Sequence, residues 1–573
     1  MPVRNQEIAA AFQKLADLLE IQGANQFRVR AYRNAALTIE SHPKSMADMI
    51  AEGEDLQELP GIGRDLAAKI REYVETGRIR KLDELTSEVP EGLSILMKIE
   101  GLGPKKVKTL HERLGISSRQ DLEAALHSGE IARIRGFGPK TEQKIIQGLS
   151  AYSAHSTRVK FITAHEIAQA YLEHLNDLNV VKKAIVAGSY RRKKETVGDL
   201  DILVICEKPE LVMDRFTGFE EVGMVVSRGT TRSAVVLRSG LHVDIRVVPE
   251  ESYGAALHYF TGSKEHGIAV RKIAQRNGLK INEYGVFCGQ ERIAGRTEEE
   301  VYRSVGLTYI EPELRENRGE IEAARKGALP RLISLKDIRG DLHTHTILSD
   351  GRNTLKKMVE AARRRGYEYL GVTNHSPQVT IARGIPSSVL LEQIEEIDRM
   401  NERYPDITIL KSSEVDILKD GSLDYPAEVL KYLDFTVCSI HYHQHLSREK
   451  QTERVLRAME NPYFTIFGHP TGRLINEREP YEIDLERIIE AAREMGCFLE
   501  LNANPDRMDL DDVYSKAAKE AGVMVAISTD AHSIFNLGYM EMGINQARRG
   551  WLEPGNVLNC LGVEDLKKRL RRI

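Results

Sequence analysis

Asp199 and Asp201 stand two residues apart in Gly198-Asp199-Leu200-Asp201, just before the apolar run Ile202-Leu203-Val204-Ile205. On a strand that spacing turns both carboxylates to one face. Two like charges held so close are costly without a cation between them. Divalent magnesium, bound by carboxylates and substrate phosphates, is the usual solution. Gly188-Ser189 precedes the pair at the end of another apolar run, Ala184 to Ala187, and Arg191 and Arg192 follow at once. A tight glycine turn with freed N–H groups beside guanidinium groups is a phosphate cradle. A third acid, Asp244, comes from the β-rich run His242 to Val248. A lone Asp-x-Asp reads as surface acids on a strand. The ordered set, in strand context, reads as a two-metal nucleotidyl-transfer site.

A second set of ligand-type residues fills the C-terminal part. Seven apolar strands alternate with helices at intervals of roughly thirty residues, the size of a βα unit. His343 and His345 end the first strand, with Asp350 just after. His375 ends the second, Glu414 the third, His441 the fourth and His469 the fifth. Phe498 to Asn504 is the sixth, and Asp530 and His532 close the seventh. In a parallel βα barrel all strand ends open on one face, so these residues converge there. Imidazole and carboxylate without cysteine suit zinc, manganese or iron, and several ions in one site suit phosphate-ester hydrolysis. His443 and His445 fall in a polar loop and read as surface residues.

The elements that position these groups are those of a multidomain chain. At 573 residues it is too long for one core. Residues 5 to 40 show helical periodicity, with Ile8, Phe12, Leu15, Leu18 and Leu19 on one face. A Gly-x-Gly turn ahead of a basic helix occurs three times, as Gly61-Ile62-Gly63, Gly101-Leu102-Gly103 and Gly136-Phe137-Gly138. Such a turn points amides outward to a backbone phosphate without reading bases. One copy is weak; three read as DNA-binding hairpins. The charged stretch 316 to 336, ending Gly327-Ala328-Leu329-Pro330, reads as a linker. Net charge is only −4, so a grip on DNA must come from local patches and amides. Five scattered cysteines read as free thiols of a reducing cytoplasm, and no segment approaches a membrane span.

Together these motifs resemble a bacterial family X DNA polymerase with a C-terminal polymerase-and-histidinol-phosphatase (PHP) domain, and the resemblance covers essentially the whole chain. It implies a helical, lyase-type N-terminal domain with Lys69 at the Schiff-base position, and Tyr32 and Lys81 also match DNA polymerase beta. Arg28 and Asp65 depart, standing where that relative has lysines. In the palm it implies that Asp199, Asp201 and Asp244 bind the catalytic magnesium or manganese. Gly188, Ser189, Arg192 and Gly198 would receive the dNTP triphosphate, and Tyr259, Phe260 and Gly262 would flank its sugar. Arg271 and Tyr284 fall at template-side positions. Gly267 replaces an asparagine that probes the nascent pair, so Gly267→Asn is expected to tighten dNTP binding unless His266 or water fills the gap. His242 replaces an arginine. In the barrel it implies a 3′-to-5′ exonuclease site holding two or three manganese or zinc ions, or iron, on His343, His345, Asp350, His375, Glu414, His441, His469, Asp530 and His532.

The expected fold is therefore multidomain α+β and α/β: helix-hairpin-helix regions at 1–85 and 86–155, a nucleotidyltransferase palm at 156–249, and a nucleotide-selection subdomain at 250–316. A linker at 317–336 and a distorted (β/α)7 PHP barrel at 337–573 follow. The expected partners are dNTPs and gapped or primer-template DNA, for a monomer working in repair. Two rivals are a small-molecule nucleotidyltransferase fused to a phosphatase and a non-catalytic DNA-end scaffold. Three hairpins argue against the first, since a small substrate needs no grip on a phosphate backbone. The complete acid and ligand sets argue against the second.

Overall fold

The computed structural model describes residues 5–40, 42, 44–88, 93, 96, 102–134, 137–138, 141–142, 145 and 158–571. The chain divides into two compact units, 1–158 with 209–245, and 159–208 with 246–573.

In the first unit, helix Asn5–Gln22 buries Ile8, Phe12, Leu15, Leu18 and Leu19, the face its periodicity predicts. It packs on helix Gln26–Glu40, where the Phe12 and Tyr32 rings lie 5.8 Å apart. The glycine hairpins recur with the same local geometry. The second glycine caps a helix in the first two: Gly63 for Arg64–Thr76 and Gly103 for Pro104–Leu114, with Pro104 in the first turn, where it forfeits no helical hydrogen bond. The Gly138 carbonyl likewise accepts from Thr141 and Glu142, at 2.7 and 3.1 Å. The preceding turn closes through Ile62 N–H to Leu59 in the first copy and Phe137 N–H to Ile134 in the third. Gly101 and Gly136 lie outside the described residues. Strands Val222–Arg228 and Arg232–Leu237 pair antiparallel.

In the second unit, strand Asp199–Cys206 pairs antiparallel with Val181–Val186. The strand carrying Asp244, His242–Val247, runs from the first unit into the second. Just beyond it the Val248 N–H donates to the Val204 carbonyl at 2.9 Å. Strands Leu279–Asn282, Gly285–Cys288 and Glu291–Ala294 form a small antiparallel sheet. The 317–336 stretch contains a helix, Glu320–Lys326, with Glu320 buried against His266.

The rest is the barrel. Its seven strands are β1 (Gly340–Asp341), β2 (Tyr369–Val372), β3 (Thr408–Asp416), β4 (Phe435–Ser439), β5 (Ile466–Phe467), β6 (Phe498–Asn502) and β7 (Val525–Ser528). All pair parallel in sequence order, and a Thr344–Ala531 bridge joins the first to the last. Successive side chains alternate, as a strand requires. Ile409, Phe467 and Leu499 join one apolar layer with the barrel helices. Leu410, Phe435, Val437, Ile466 and Phe498 form a second cluster with Leu566 and Leu570 of the helix Val563–Leu570. With the interior filled, the polar groups gather beyond the strands' C-terminal ends.

Candidate active sites

Glu414, near the end of β3, is the hub of the barrel site. Its Oε2 lies 2.9 Å from His375 Nδ1, 3.4 Å from His343 Nε2 and 3.6 Å from His345 Nε2. Its Oε1 lies 2.9 Å from His469 Nε2 and 3.3 Å from His441 Nε2. One carboxylate thus touches five imidazoles supplied by the ends of four strands. Asp530 Oδ1 approaches His345 Nε2 at 3.2 Å and His532 Nδ1 at 3.6 Å. Asp350 Oδ2 approaches His532 Nε2 at 3.0 Å and His375 Nε2 at 3.4 Å. All nine sequence-predicted residues therefore meet in one place, spanning positions 343 to 532.

Buried polar groups normally find partners. Among the described residues, His343 Nε2, both ring nitrogens of His345 and His469 Nδ1 are buried without a well-aligned hydrogen bond. Three groups of donor atoms lie mutually within 4.8 Å: His345, Asp350, His375 and His532; His343, His345 and Asp530; and His375, Glu414 and His441. Imidazole lone pairs beside carboxylates fit divalent cations. Burial, with His532 and His375 nearby, pushes His345 down to about 3 and keeps it a neutral donor. Burial would raise the Glu414 carboxyl, but His375, His343 and His441 hold it well below the usual range.

Two supporting carboxylates escaped the sequence reading. Glu500 on β6 lies 2.7 Å from His343 Nδ1 and accepts the His469 backbone N–H at 2.7 Å. Asp416, two residues beyond Glu414, accepts the Nδ1 of His441 at 3.0 Å. Both set the tautomer and orientation of an imidazole. The signals were present: Glu414-x-Asp416 has the spacing of Asp199-x-Asp201, and Glu500 interrupts an apolar strand.

At the palm motif, the Ala187 N–H donates to the Asp201 carbonyl at 2.7 Å, which brings Gly188 against Asp201. Gly188 has φ +61°, and a Cβ there would sit 2.8 Å from Asp201 Oδ2. Both conformation and space demand glycine. The neighbouring Ser189 Oγ is buried without a partner among the described residues. Arg191 and Arg192 are held from the other side. Arg191 pairs with Glu298 and donates to Thr261 Oγ1 at 2.6 Å. Arg192 donates to Glu316 at 3.0 Å and to the Thr261 carbonyl at 2.6 Å. Helix Tyr253–Thr261 ends at Gly262, whose φ of +66° turns the chain into the next helix, Lys264–Arg276. The Tyr259 and Phe260 rings meet edge to face, 5.1 Å apart, and Tyr284 is exposed. In the first unit, Asp244 Oδ1 accepts from Arg232 at 3.2 Å.

The structure shows the surroundings of Gly267 and of Lys69. His266 does not fill the space over Gly267: it is buried between Glu320 and the Tyr302 hydroxyl, at 2.6 and 2.8 Å. Arg271 occupies that space, its Nη1 3.3 Å from where a Gly267 Cβ would stand. Lys69 donates to Asp65 at 2.6 Å and lies 6.0 Å from the Tyr32 ring centre. Burial alone would lower the Lys69 amine, but the bond to Asp65 outweighs it and the pKa is raised. Asp65 thus holds the amine as a cation, which must give up its proton before it can attack an aldehyde.

The motifs match known families along the chain. A helix-hairpin-helix domain matches residues 3–79 and a SAM-like helix-hairpin-helix tandem residues 93–151. The DNA polymerase beta palm matches 162–240, the DNA polymerase beta thumb 256–316, and a PHP domain 341–504. Over 574 aligned positions, spanning all of both proteins, the chain is 38% identical to DNA polymerase/3'-5' exonuclease PolX of Bacillus subtilis (strain 168). The chain belongs to the PHP-bearing family X DNA polymerases. This family X enzyme is also 28% identical to DNA polymerase lambda of Rattus norvegicus over 338 residues, 54% of this chain and 56% of that one. A probable phosphatase of Thermoanaerobacter sp. (strain X514) is 31% identical over 247 residues, 41% of the chain but 96% of the phosphatase. The two parts thus have separate relatives, one polymerising and one hydrolytic by name. No helix among the described residues is long and apolar enough to cross a membrane.

Proposed function

We propose that this family X enzyme fills short gaps in DNA during repair and that its barrel removes nucleotides from 3′ ends. One observation supports the pairing of activities: a single chain gathers nine imidazole and carboxylate residues around Glu414 and, separately, sets a positive-φ Gly188 against Asp201. The domains run as 1–85, 86–155, 156–249, 250–316 and 337–573, working as a cytoplasmic monomer.

For synthesis, Asp199 and Asp201 would hold magnesium or manganese, and the family resemblance makes Asp244 the third acid. Gly188, Ser189 and Arg192 receive the dNTP triphosphate. The unpartnered Ser189 Oγ and the positive φ of Gly188 support that role. Tyr259, Phe260 and Gly262 flank the sugar. The amides at Gly61–Gly63, Gly101–Gly103 and Gly136–Gly138 hold DNA phosphates. A Cβ on Gly63, Gly103 or Gly138 would meet nothing within 4 Å, so the chain's own packing does not require glycine there. An approaching phosphate does.

For hydrolysis, the nine barrel residues would hold two or three ions, manganese or zinc by ligand type, with iron also compatible. When bound, the cations of both sites supply Lewis acidity and neutralise charge at phosphate. Asp416 and Glu500 keep His441 and His343 in the tautomers that leave Nε2 for a ligand bond.

The test is a labelled primer on one-nucleotide-gapped DNA with magnesium or manganese, with and without dNTPs. Asp244→Asn is expected to abolish extension and leave 3′-end degradation. His441→Ala is expected to do the reverse. Loss of both activities in either folded variant would overturn the two-site reading.

A further inference from the structure

Arg549 ends the barrel helix Met540–Arg549, and its side chain is only 2% exposed. Its Nη1 donates to Glu316 Oε1 at 2.9 Å and to the Arg192 carbonyl at 2.8 Å. Its Nη2 donates to Asp512 of the barrel. Glu316 Oε1 also accepts the Arg192 Nε at 3.0 Å. A barrel arginine and a palm arginine therefore share one carboxylate oxygen, and the first also grips the backbone of the second.

This arrangement bears on what Arg192 can offer an anion. Paired with Arg192 alone, Glu316 would compete with any phosphate for that guanidinium. With Arg549 on the same oxygen, much of the carboxylate's charge is already met. Burial would raise the Glu316 carboxyl, but Arg549 first, then Arg192 and Lys194, pull it down to about 2, so the anchor stays ionised. Arg192 spends its Nε–H on Glu316 and one Nη1–H on the Thr261 carbonyl. Of its five donors, three have no partner among the described residues.

We infer that Arg549 is a positioning residue for synthesis: from within the PHP domain it holds Arg192 in the orientation that meets the triphosphate of the incoming dNTP. The inference rests on the reading of Arg192 as a triphosphate contact. It makes the hydrolytic domain part of the support of the polymerase site through Glu316, Asp512 and the Arg192 carbonyl, the hydrogen-bond partners of Arg549.

The test uses the full chain with Arg549→Lys, Arg192→Ala and the double variant, in single-nucleotide insertion on gapped DNA. Degradation of 3′ ends without dNTP is followed on the same preparations and reports the fold of the barrel. Lysine keeps the charge but cannot reach Glu316, Asp512 and the Arg192 carbonyl together. Arg549→Lys is expected to raise the dNTP KM about tenfold, with kcat within about twofold and degradation unchanged. In the Arg192→Ala background it is expected to add less than about twofold, because its effect runs through Arg192. An unchanged KM with degradation intact, or effects that multiply independently, would overturn the inference. If Arg192→Ala itself leaves KM unchanged, the reading of Arg192 fails and the inference falls with it. Should Arg549→Lys not fold, Asp512→Asn loosens the other anchor of Arg549 and is expected to raise KM in the same sense by a smaller factor. No rise there, with degradation intact, would equally overturn the inference.

Discussion

Asp416 Oδ1 accepts both the backbone N–H and the Nδ1 of His441, each at 3.0 Å. Those two hydrogen bonds fix the ring with Nε2 turned to Glu414. Asp416→Asn is expected to weaken metal binding and 3′-end degradation by about 10–100-fold, since an amide orients the imidazole less well. Primer extension is expected to be unchanged. Metal titration followed by calorimetry, beside both activity assays, checks this; equal metal affinity in parent and variant would refute it.

Glu298 is buried among Arg191, Arg315, Tyr253, His258, Tyr302 and Tyr309. Burial opposes its ionisation, but Arg315 and Arg191 outweigh it and lower the carboxyl from 4.5 to about 2. A depressed folded-state pKa adds stability above the unfolded value that is lost as pH falls through the folded one. The window is therefore about pH 4.5 down to 2, and the contribution at neutral pH is about 3 kcal/mol. Glu298→Gln is expected to lower the unfolding midpoint at pH 7 and to flatten its fall below pH 4.5. Parallel curves for parent and variant across that range would count against the assignment. The dNTP KM should also rise, because Arg191 is tied to Thr261 beside Gly262.

Lys69 is held as an ammonium by Asp65, so the parent enzyme is expected to be a poor lyase. Borohydride trapping on 5′-deoxyribose-phosphate DNA should be weak, rise with pH, and increase in Asp65→Asn, where the amine loses its counter-charge. Lys69→Ala should abolish it. Trapping undiminished in Lys69→Ala would move the role elsewhere.

Arg271 covers Gly267, so asparagine there would have to displace a guanidinium. Gly267→Asn alone is expected to leave matched-over-mismatched kcat/KM unimproved. Arg271→Ala is expected to reduce that ratio about tenfold, and Gly267→Asn added to it should recover part of the loss, because the space is then open. Improved discrimination by Gly267→Asn alone would restore the simpler expectation from sequence.

Gly61 and Gly63 are one turn apart in role. Gly61 has φ +82°, so Gly61→Ala is expected to cost about 1 kcal/mol of stability in the first unit. Gly63 has an ordinary φ of −89° and open space, so Gly63→Ala should leave stability unchanged yet weaken gapped-DNA binding at fixed salt. Thermal unfolding beside DNA titration separates the two. An unaltered DNA affinity in Gly63→Ala would remove that hairpin from the interface.

The imidazoles and carboxylates that gather around Glu414 were legible because most sit where an apolar strand stops, and strand periodicity converts such positions into one face of a barrel. Gly188 and the Asp199–Asp201 pair were legible for a similarly local reason: turn, spacing and strand lie within fourteen residues of sequence. The hairpins carried the same kind of signal, repeated. Tertiary structure alone decided which charge meets which. Nothing local says that Glu414 touches five imidazoles, that Glu500 rather than another strand acid supports His343, or that Arg271 fills the space over Gly267. Arg549 reaches Arg192 across 357 positions. A chain rich in arginine and glutamate offers many equivalent pairings on paper, and only burial, which makes an unmatched charge costly, selects one of them.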